Sequence, residues 1–224
     1  MCGRYTITVT LEELESMFRL GPLDNPNYRP RYNVAPGQMI PAILAHEGKN
    51  RLGELRWGLL PSWSQGEPSG RPLINARSET VHDKPSFRGL FERKRCIIPA
   101  DGFYEWQKNG TARKPYRIVL KDRSLFSMAA LYDTWIGPDG RKVSTAVILT
   151  TSANELMEPI HTRMPVILRQ EDEALWLDRT KQDFEALKAL LKPFHAGAMR
   201  AYPVSPAVGS VQNDTPELLR ELSS

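Results

Sequence analysis

Apolar and polar residues alternate over residues 4–9, the period of a half-buried strand. Thr10-Leu-Glu-Glu13 follows at once, with a hydroxyl and a carboxylate three positions apart ahead of an apolar helical stripe. It predicts a capped helix over about 11–19. From Gly21 to Pro36 the periodicity is lost to Pro, Asn, Arg and Tyr, and an ordered loop is expected. Strands are predicted at Gln38–His46 and Gly53–Trp57, then a long surface loop at Pro61–Pro72. A short basic helix is expected over 86–93 and a buried strand at Cys96–Pro99. Phe103–Gln107 and Tyr116–Leu120 flank Asn109-Gly110, a dipeptide that tolerates positive φ and so predicts a hairpin. Ser124–Tyr132 and Lys142–Thr150 are paired across Gly137-Pro-Asp-Gly140. A short helix from Glu155 ends at Pro159, Met164–Leu168 is extended, and helices follow over about 171–178, 183–191 and 216–222. Strands outnumber helices without βαβ alternation, so the fold class is α+β with mainly antiparallel sheets. No repeat or compositional break divides the chain, and a single domain over 1–224 is expected.

Composition narrows the class. With 224 residues, 41% of them hydrophobic, the chain can bury roughly 70% of its unfolded surface without staples. Two cysteines cannot form a disulfide framework, which points to a reducing compartment. No apolar run reaches the roughly 18 residues of a membrane span. The opening MCGRYTITVT has neither the charged start nor the apolar core of a secretory signal. Four His and two Cys without C-x-x-C or H-x-x-x-H spacing leave little for a zinc site, and neither metal nor cofactor is expected. The net charge of +4 is uneven: residues 51–123 hold 15 Lys/Arg against 8 Asp/Glu, and residues 171–224 hold 6 against 9. A basic middle favours a polyanionic partner through counterion release; a solvated charged surface accounts for it equally.

Position 2 is the most informative. The chain opens Met1-Cys2-Gly3-Arg4, and a small second residue permits removal of the initiator Met, leaving Cys2 with a free α-amine beside a thiol. An α-amine titrates near about 7.7–8.0, against about 10.4 for lysine, so a sizeable neutral fraction exists at pH 7 without desolvation. Such an amine adds to an aldehyde to give an imine. The thiol then closes onto the same carbon as a five-membered thiazolidine, helped by the effective molarity of an intramolecular step. The plain alternative is an incidental buried cysteine beside a strand. Four further segments carry candidate chemistry: Ile74–Glu79, with Asn75 and with Ser78 placed as a helix cap; Gly102–Trp106, where Glu105 lies between aromatics; His161–Pro165, just after a helix; and Arg56–Trp63, where aromatics interleave with a cation. A carboxylate among apolar groups has a raised pKa, which suits acid–base work near neutrality. Asn75 as a backbone cap, Glu105 paired with an arginine and His161 as a satisfied core histidine remain open. Cys96 reads as core, and His46, His82 and His195 as surface or core residues.

Six blocks occur in order: MCGRY at the start, YNVAPGQ at 32–38, RWGLLPSW at 56–63, NARSET at 75–80, RCIIPADGFYEW at 95–106 and HTRMPVIL at 161–168. Over essentially its whole length the chain resembles the SRAP (SOS response-associated peptidase) family, whose YedK-type members sense abasic DNA. The resemblance implies a barrel-like, bifurcated β-sheet core flanked by helices. It implies that mature Cys2 bonds through amine and thiol to C1′ of the ring-opened abasic sugar. Asn75 would orient the adduct, Glu105 would shuttle protons, and His161 would assist sugar opening, slow reversal and strand-cleaving elimination. Arg4, Arg77 and Arg163 would hold phosphates, which position a strand without reading its sequence. Ser78 and Thr150 would join the DNA surface, and Trp106, Leu73 and Pro41 would support or wedge bases. The implied partner is single-stranded DNA containing abasic sites, including single-strand/double-strand junctions. The implied protein is a monomer, cytoplasmic in a bacterium, with no membrane association.

Three rival functions are compatible with some of these residues. An N-terminal-nucleophile amidohydrolase also begins Met-Cys-Gly and uses the thiol on an amide; the basic middle and the Glu105/His161 pair have no place in it. A thiol peptidase using Cys2, Asn75 and His161 fits self-processing, although only Met1 precedes Cys2. A module that merely binds single strands would not need Cys2.

Overall fold

The fold comes from a computed structural model in which residues 2–20, 28–64, 72–122, 125–181 and 183–223 are described. The loops expected at Gly21–Pro36 and Pro61–Pro72 lie partly outside these residues, as does Met1. In chain order the elements are β1 Tyr5–Ile7, α1 Leu11–Phe18, β2 Arg31–Val34, β3 Met39–His46, β4 Lys49–Trp57, β5 Asn75–Arg77 and α2 Pro85–Arg93. They continue with β6 Arg95–Ala100, β7 Gly102–Asn109, β8 Ala112–Leu120, β9 Phe126–Ile136, β10 Lys142–Ser152, β11 Arg163–Pro165 and β12 Ile167–Leu168. The last are α3 Glu173–Leu177, α4 Phe184–Ala189 and β13 Met199–Pro203. The class is α+β with mostly antiparallel strands, as the alternation pattern implies.

Two sheets make the core. One has five strands in the order β13-β8-β7-β1-β2. In the other, β4, β3, β6, β9 and β10 pair in sequence and β10 returns to β4, so the ladder closes into a small barrel. Closure removes the free edges that an open sheet would expose. Its walls are continuous buried, mostly apolar runs: every residue of β6 is buried, and Phe126–Leu131 and Thr145–Thr151 are buried without a break. Such runs, with no alternation, are what a strand covered on both faces requires.

The local devices are those the sequence implies. Thr10 and Glu13 form a capping box at the start of α1, with Thr10 N–H donating to Glu13 Oε2 at 2.7 Å and Glu13 N–H to Thr10 Oγ1 at 3.3 Å. Such a cap contributes about 1 kcal/mol. The β7–β8 hairpin turns at Gly110, whose φ is 60°. Gly58 is required for a different reason: its φ is 134°, and a Cβ there would lie 2.8 Å from Cβ of Pro72.

Several elements differ from expectation. Residues 31–34 form a strand rather than loop, because Asp214 Oδ1 accepts from Tyr32 N–H at 2.6 Å and Asn33 N–H at 2.9 Å and so holds the outer edge of β2. Asn75–Arg77 is a strand parallel to β10, and Ser78 caps no helix; its N–H donates to Thr150 O at 2.8 Å. Residues 155–160 are successive turns started by Asn154 Oδ1, which accepts from Met157 N–H at 3.0 Å. The helix expected at 216–222 is one 3-10 turn at Pro216–Leu219, and β13 fills the edge beside β8.

Candidate functional site

The far end of β10 organises the site. Ile148, Leu149 and Thr150 pair with Asn75, Ala76 and Arg77 of β5, while Thr150, Thr151 and Ser152 pair with Pro165, Met164 and Arg163 of β11. Two short strands from distant parts of the chain therefore flank one central strand. Ala76 points into the core, which by strand alternation turns Asn75 and Arg77 the other way. Trp57, fully buried, ties this region to the other sheet: its Nε1 donates to Ile74 O at 3.0 Å, and its ring meets that of Tyr5 with centroids 5.5 Å apart.

Cys2 enters from the five-stranded sheet. Tyr5 and Thr6 of β1 pair with Phe103 and Gly102 of β7, and Tyr104 N–H donates to Arg4 O at 2.9 Å. Continued by one step, that register sets Gly3 against Glu105 and Cys2 beside it. Cys2 has no exposed surface, and Asn75 Nδ2 donates to its carbonyl at 2.8 Å. The buried Asn75 Oδ1 has no hydrogen-bond partner among the described residues, so an acceptor is turned into the site beside Cys2. Burial pushes the Cys2 thiol far above its ordinary value, and the Glu105 carboxylate adds to the effect. The amino-terminal charge and a backbone hydrogen bond from Arg4 oppose it. The sulfur is therefore a protonated thiol at neutral pH.

Glu105, 3% exposed, projects from β7 on the face that carries Phe103 into the core. Burial raises its carboxyl above the usual carboxylate range, against the amino-terminal charge and the charge of His161. His161 lies in the turn ahead of β11. Its N–H donates to Met157 O at 2.8 Å, and its Nδ1 accepts from Arg163 N–H at 3.0 Å. Gln107 Nε2 donates to Pro159 O at 2.9 Å, holding this turn against β7. Cys2, Asn75, Glu105 and His161, which come from four separated segments, thus converge where the two sheets meet.

The residues expected at a DNA surface divide by exposure. Arg77 is exposed on β5, and Leu73 is exposed beside it. Pro41 and Trp106 are half-buried, and Trp63 is exposed next to the segment outside the described residues. Ser78 and Thr150 are buried, which corrects the expectation that they join the DNA surface: Thr150 pairs with Arg77, and Ser78 N–H donates to Thr150 O. Thr150 reaches outward through Arg163, whose Nη2 donates to Thr150 O at 2.6 Å. Arg163 also forks onto Glu79, with Nη1–Oε1 at 2.5 Å and Nη2–Oε2 at 2.9 Å. Nothing in the local pattern of the sequence points to Glu79, whose partner lies 84 positions away. Arg4 is turned inward, where Nη1 donates to Asn33 Oδ1 at 2.8 Å and Val208 O at 2.6 Å, Nη2 donates to Gly209 O at 3.1 Å, and the guanidinium lies over Trp106. Among the described residues no group of three His, Cys, Asp or Glu is placed to hold a metal ion, and no helix is long and apolar enough to cross a membrane.

Comparison with known proteins identifies the family and the fold. A family profile described as SOS response associated peptidase (SRAP) matches residues 1–211. The chain is 48% identical to the abasic site processing protein YoqW of Bacillus subtilis over 221 residues, 98% of this chain and 99% of that one. It is 36% identical to the abasic site processing protein HMCES of Gallus gallus, over 86% of this chain and 66% of the relative. A crystal structure of a protein from Bacteroides thetaiotaomicron superposes with a TM-score of 0.87 at 28% identity, covering 99% of this chain and all of the other.

Proposed function

The chain belongs to the SOS response associated peptidase (SRAP) family, and from that premise we propose that it senses abasic sites in single-stranded DNA and captures them covalently through Cys2. Removal of Met1 would free the α-amine of Cys2. The neutral amine adds to the C1′ aldehyde of the opened sugar, and the carbinolamine loses water to give an iminium. The Cys2 thiol then adds to the iminium carbon: a C–S bond forms, the S–H proton leaves to a base, and the thiazolidine closes with one water released overall. A Cys2 thiol raised by burial fits an order with amine first and thiol second.

The observation that carries the reading is the convergence of Cys2, Asn75, Glu105 and His161 at one junction. Glu105, with its raised carboxyl, is suited to give a proton to the departing hydroxyl and take one from the thiol. Asn75 Oδ1 is suited to accept from the adduct nitrogen or a sugar hydroxyl while Nδ2 fixes the Cys2 carbonyl. His161 is suited to assist opening of the sugar and the slow reversal or elimination. Arg77 and Arg163 would hold flanking phosphates, and Trp106, Leu73 and Pro41 would support bases beside the lesion. The missing base accounts for selectivity, since only the abasic sugar offers an aldehyde. Both cysteines are free, as a protein working in a reducing cytoplasm requires.

Intact mass spectrometry tests this directly. Mature protein incubated with uracil-excised single-stranded DNA is expected to yield a species at the summed mass, mapped to the N-terminal peptide. Cys2→Ala is expected to yield none. An adduct that forms equally well with an acetylated N-terminus would overturn the mechanism.

A further inference from the structure

An arginine offers an oxyanion two forks: an end fork of Nη1 and Nη2, and a side fork of Nε and Nη2. In Arg163 both are closed. Glu79 fills the end fork through two bonds, Thr150 O takes Nη2 on the side fork, and Nε is buried with no partner among the described residues. A phosphate therefore cannot be gripped by this guanidinium as it stands unless Glu79 gives way. Glu79 is placed to do so. Its side chain is 47% exposed against 17% for Arg163, and it sits in a turn, two residues beyond the exposed Arg77. Thr150 O would continue to hold Nη2 after the carboxylate swings out, so the guanidinium keeps its place while its outward fork opens.

We propose that Glu79 is an internal stand-in for a strand phosphate, occupying the Arg163 fork in the free protein and exchanged for phosphate when DNA is engaged. The proposal rests on the reading that Arg163 is a phosphate contact. A carboxylate presents two oxygens and one negative charge to the fork, the same edge that a phosphate presents. Every strand, damaged or not, must displace it. The exchange lowers non-covalent affinity uniformly and leaves selection for the lesion to the chemistry at Cys2, where an aldehyde is required. A protein whose capture is covalent gains from this arrangement, because weak initial binding lets it leave intact DNA.

Equilibrium binding of a lesion-free oligothymidylate across a salt series tests the exchange without any covalent step. Glu79→Gln is expected to bind about two- to fivefold tighter than native protein. The slope of log K against log salt should be unchanged, because the same phosphates are engaged. In an Arg163→Gln background the same substitution should change nothing. Weaker binding with a shallower slope would overturn the proposal, since Glu79 would then be orienting Arg163. A gain that persists without Arg163 would also overturn it, as simple charge repulsion, and so would no gain at all. Should Glu79→Gln fail to fold, Glu79→Asp keeps the charge on a stem too short for both bonds and is expected to show a smaller gain of the same sign. Because the probe carries no aldehyde, failure of the Cys2 adduct in mass spectrometry and failure of this exchange are separate results.

Discussion

Two arginines in this molecule are engaged by hydrogen bonds to opposite ends. Arg95, at the start of β6, is 1% exposed and donates only to backbone carbonyls: Nε to Trp176 O at 2.7 Å, Nη1 to Phe91 O and Glu92 O at 2.7 and 2.6 Å, and Nη2 to Asp178 O and to Lys181 O at 3.1 Å. Four of these are carbonyls at the ends of α2 and α3, so one cation closes two helix C-termini where their dipoles are negative. Burial brings its pKa down to about 10, leaving it charged at any physiological pH. Arg163 donates to the carbonyl and hydroxyl of Thr150 and to one half-exposed carboxylate. Carbonyls fixed in two helices cannot leave; a carboxylate on a flexible stem can. Partner chemistry therefore separates a permanent strut from an exchangeable grip, although the two side chains are the same.

The largest effect should come from breaking the strut. Arg95→Met fills much of the volume but takes the donor from five carbonyls, two of them in buried hydrogen bonds, and a loss of about 3–4 kcal/mol is expected. It would be read as a melting temperature lower by roughly 10 °C or more, or as failure to accumulate folded protein. Melting within a few degrees of native would mean that the carbonyls find water and that Arg95 is dispensable. Next in size is Glu105→Gln, expected to slow adduct formation by at least about a hundredfold through loss of the proton shuttle. The same change carries a stability signature. The native carboxyl holds its proton more tightly than the unfolded one, so native protein loses stability as pH rises from the ordinary carboxylate range through the raised value. Glutamine cannot ionise. The variant should match native protein near pH 4 and exceed it near pH 8 in melting temperature. A gap that widens towards acid would reverse the assignment of Glu105 as a desolvated acid.

Much of this was legible along the chain. The capping box, the Asn109-Gly110 hairpin and the apolar run Cys96–Pro99 within β6 depend on neighbours a few positions apart, and periodicity reports such neighbours. The aminothiol at position 2 and a carboxylate among aromatics at 105 are features of single residues and their chemistry. What stayed hidden depends on distant partners. The strand at Arg31–Val34 exists because Asp214, some 180 positions later, accepts from two of its N–H groups and takes Arg31 as an ion pair. Ser78 and Thr150 look like polar surface groups, yet Thr150 pairs with Arg77 and both are buried. Glu79 meets Arg163, 84 positions further along the chain.

Arg4 lies between the two extremes, and the smallest effect should decide where it belongs. Its donors meet Asn33 Oδ1 and the carbonyls of Val208 and Gly209, neutral acceptors within the fold, and burial lowers its pKa somewhat. By the standard set by Arg95 it is a strut, fastening the strand that carries Cys2 to the segment at 206–209 and supporting the Trp106 ring. Arg4→Gln should therefore cost about 1–2 kcal/mol of stability. It should slow adduct formation through a less firmly held Cys2, and leave the salt slope for lesion-free DNA as it was. If Arg4 instead leaves these carbonyls to grip a phosphate, the slope for single-stranded DNA should fall by about 0.7 with little change in melting temperature. That result would place Arg4 beside Arg163 and show that neutral carbonyls, like a carboxylate, release an arginine to DNA.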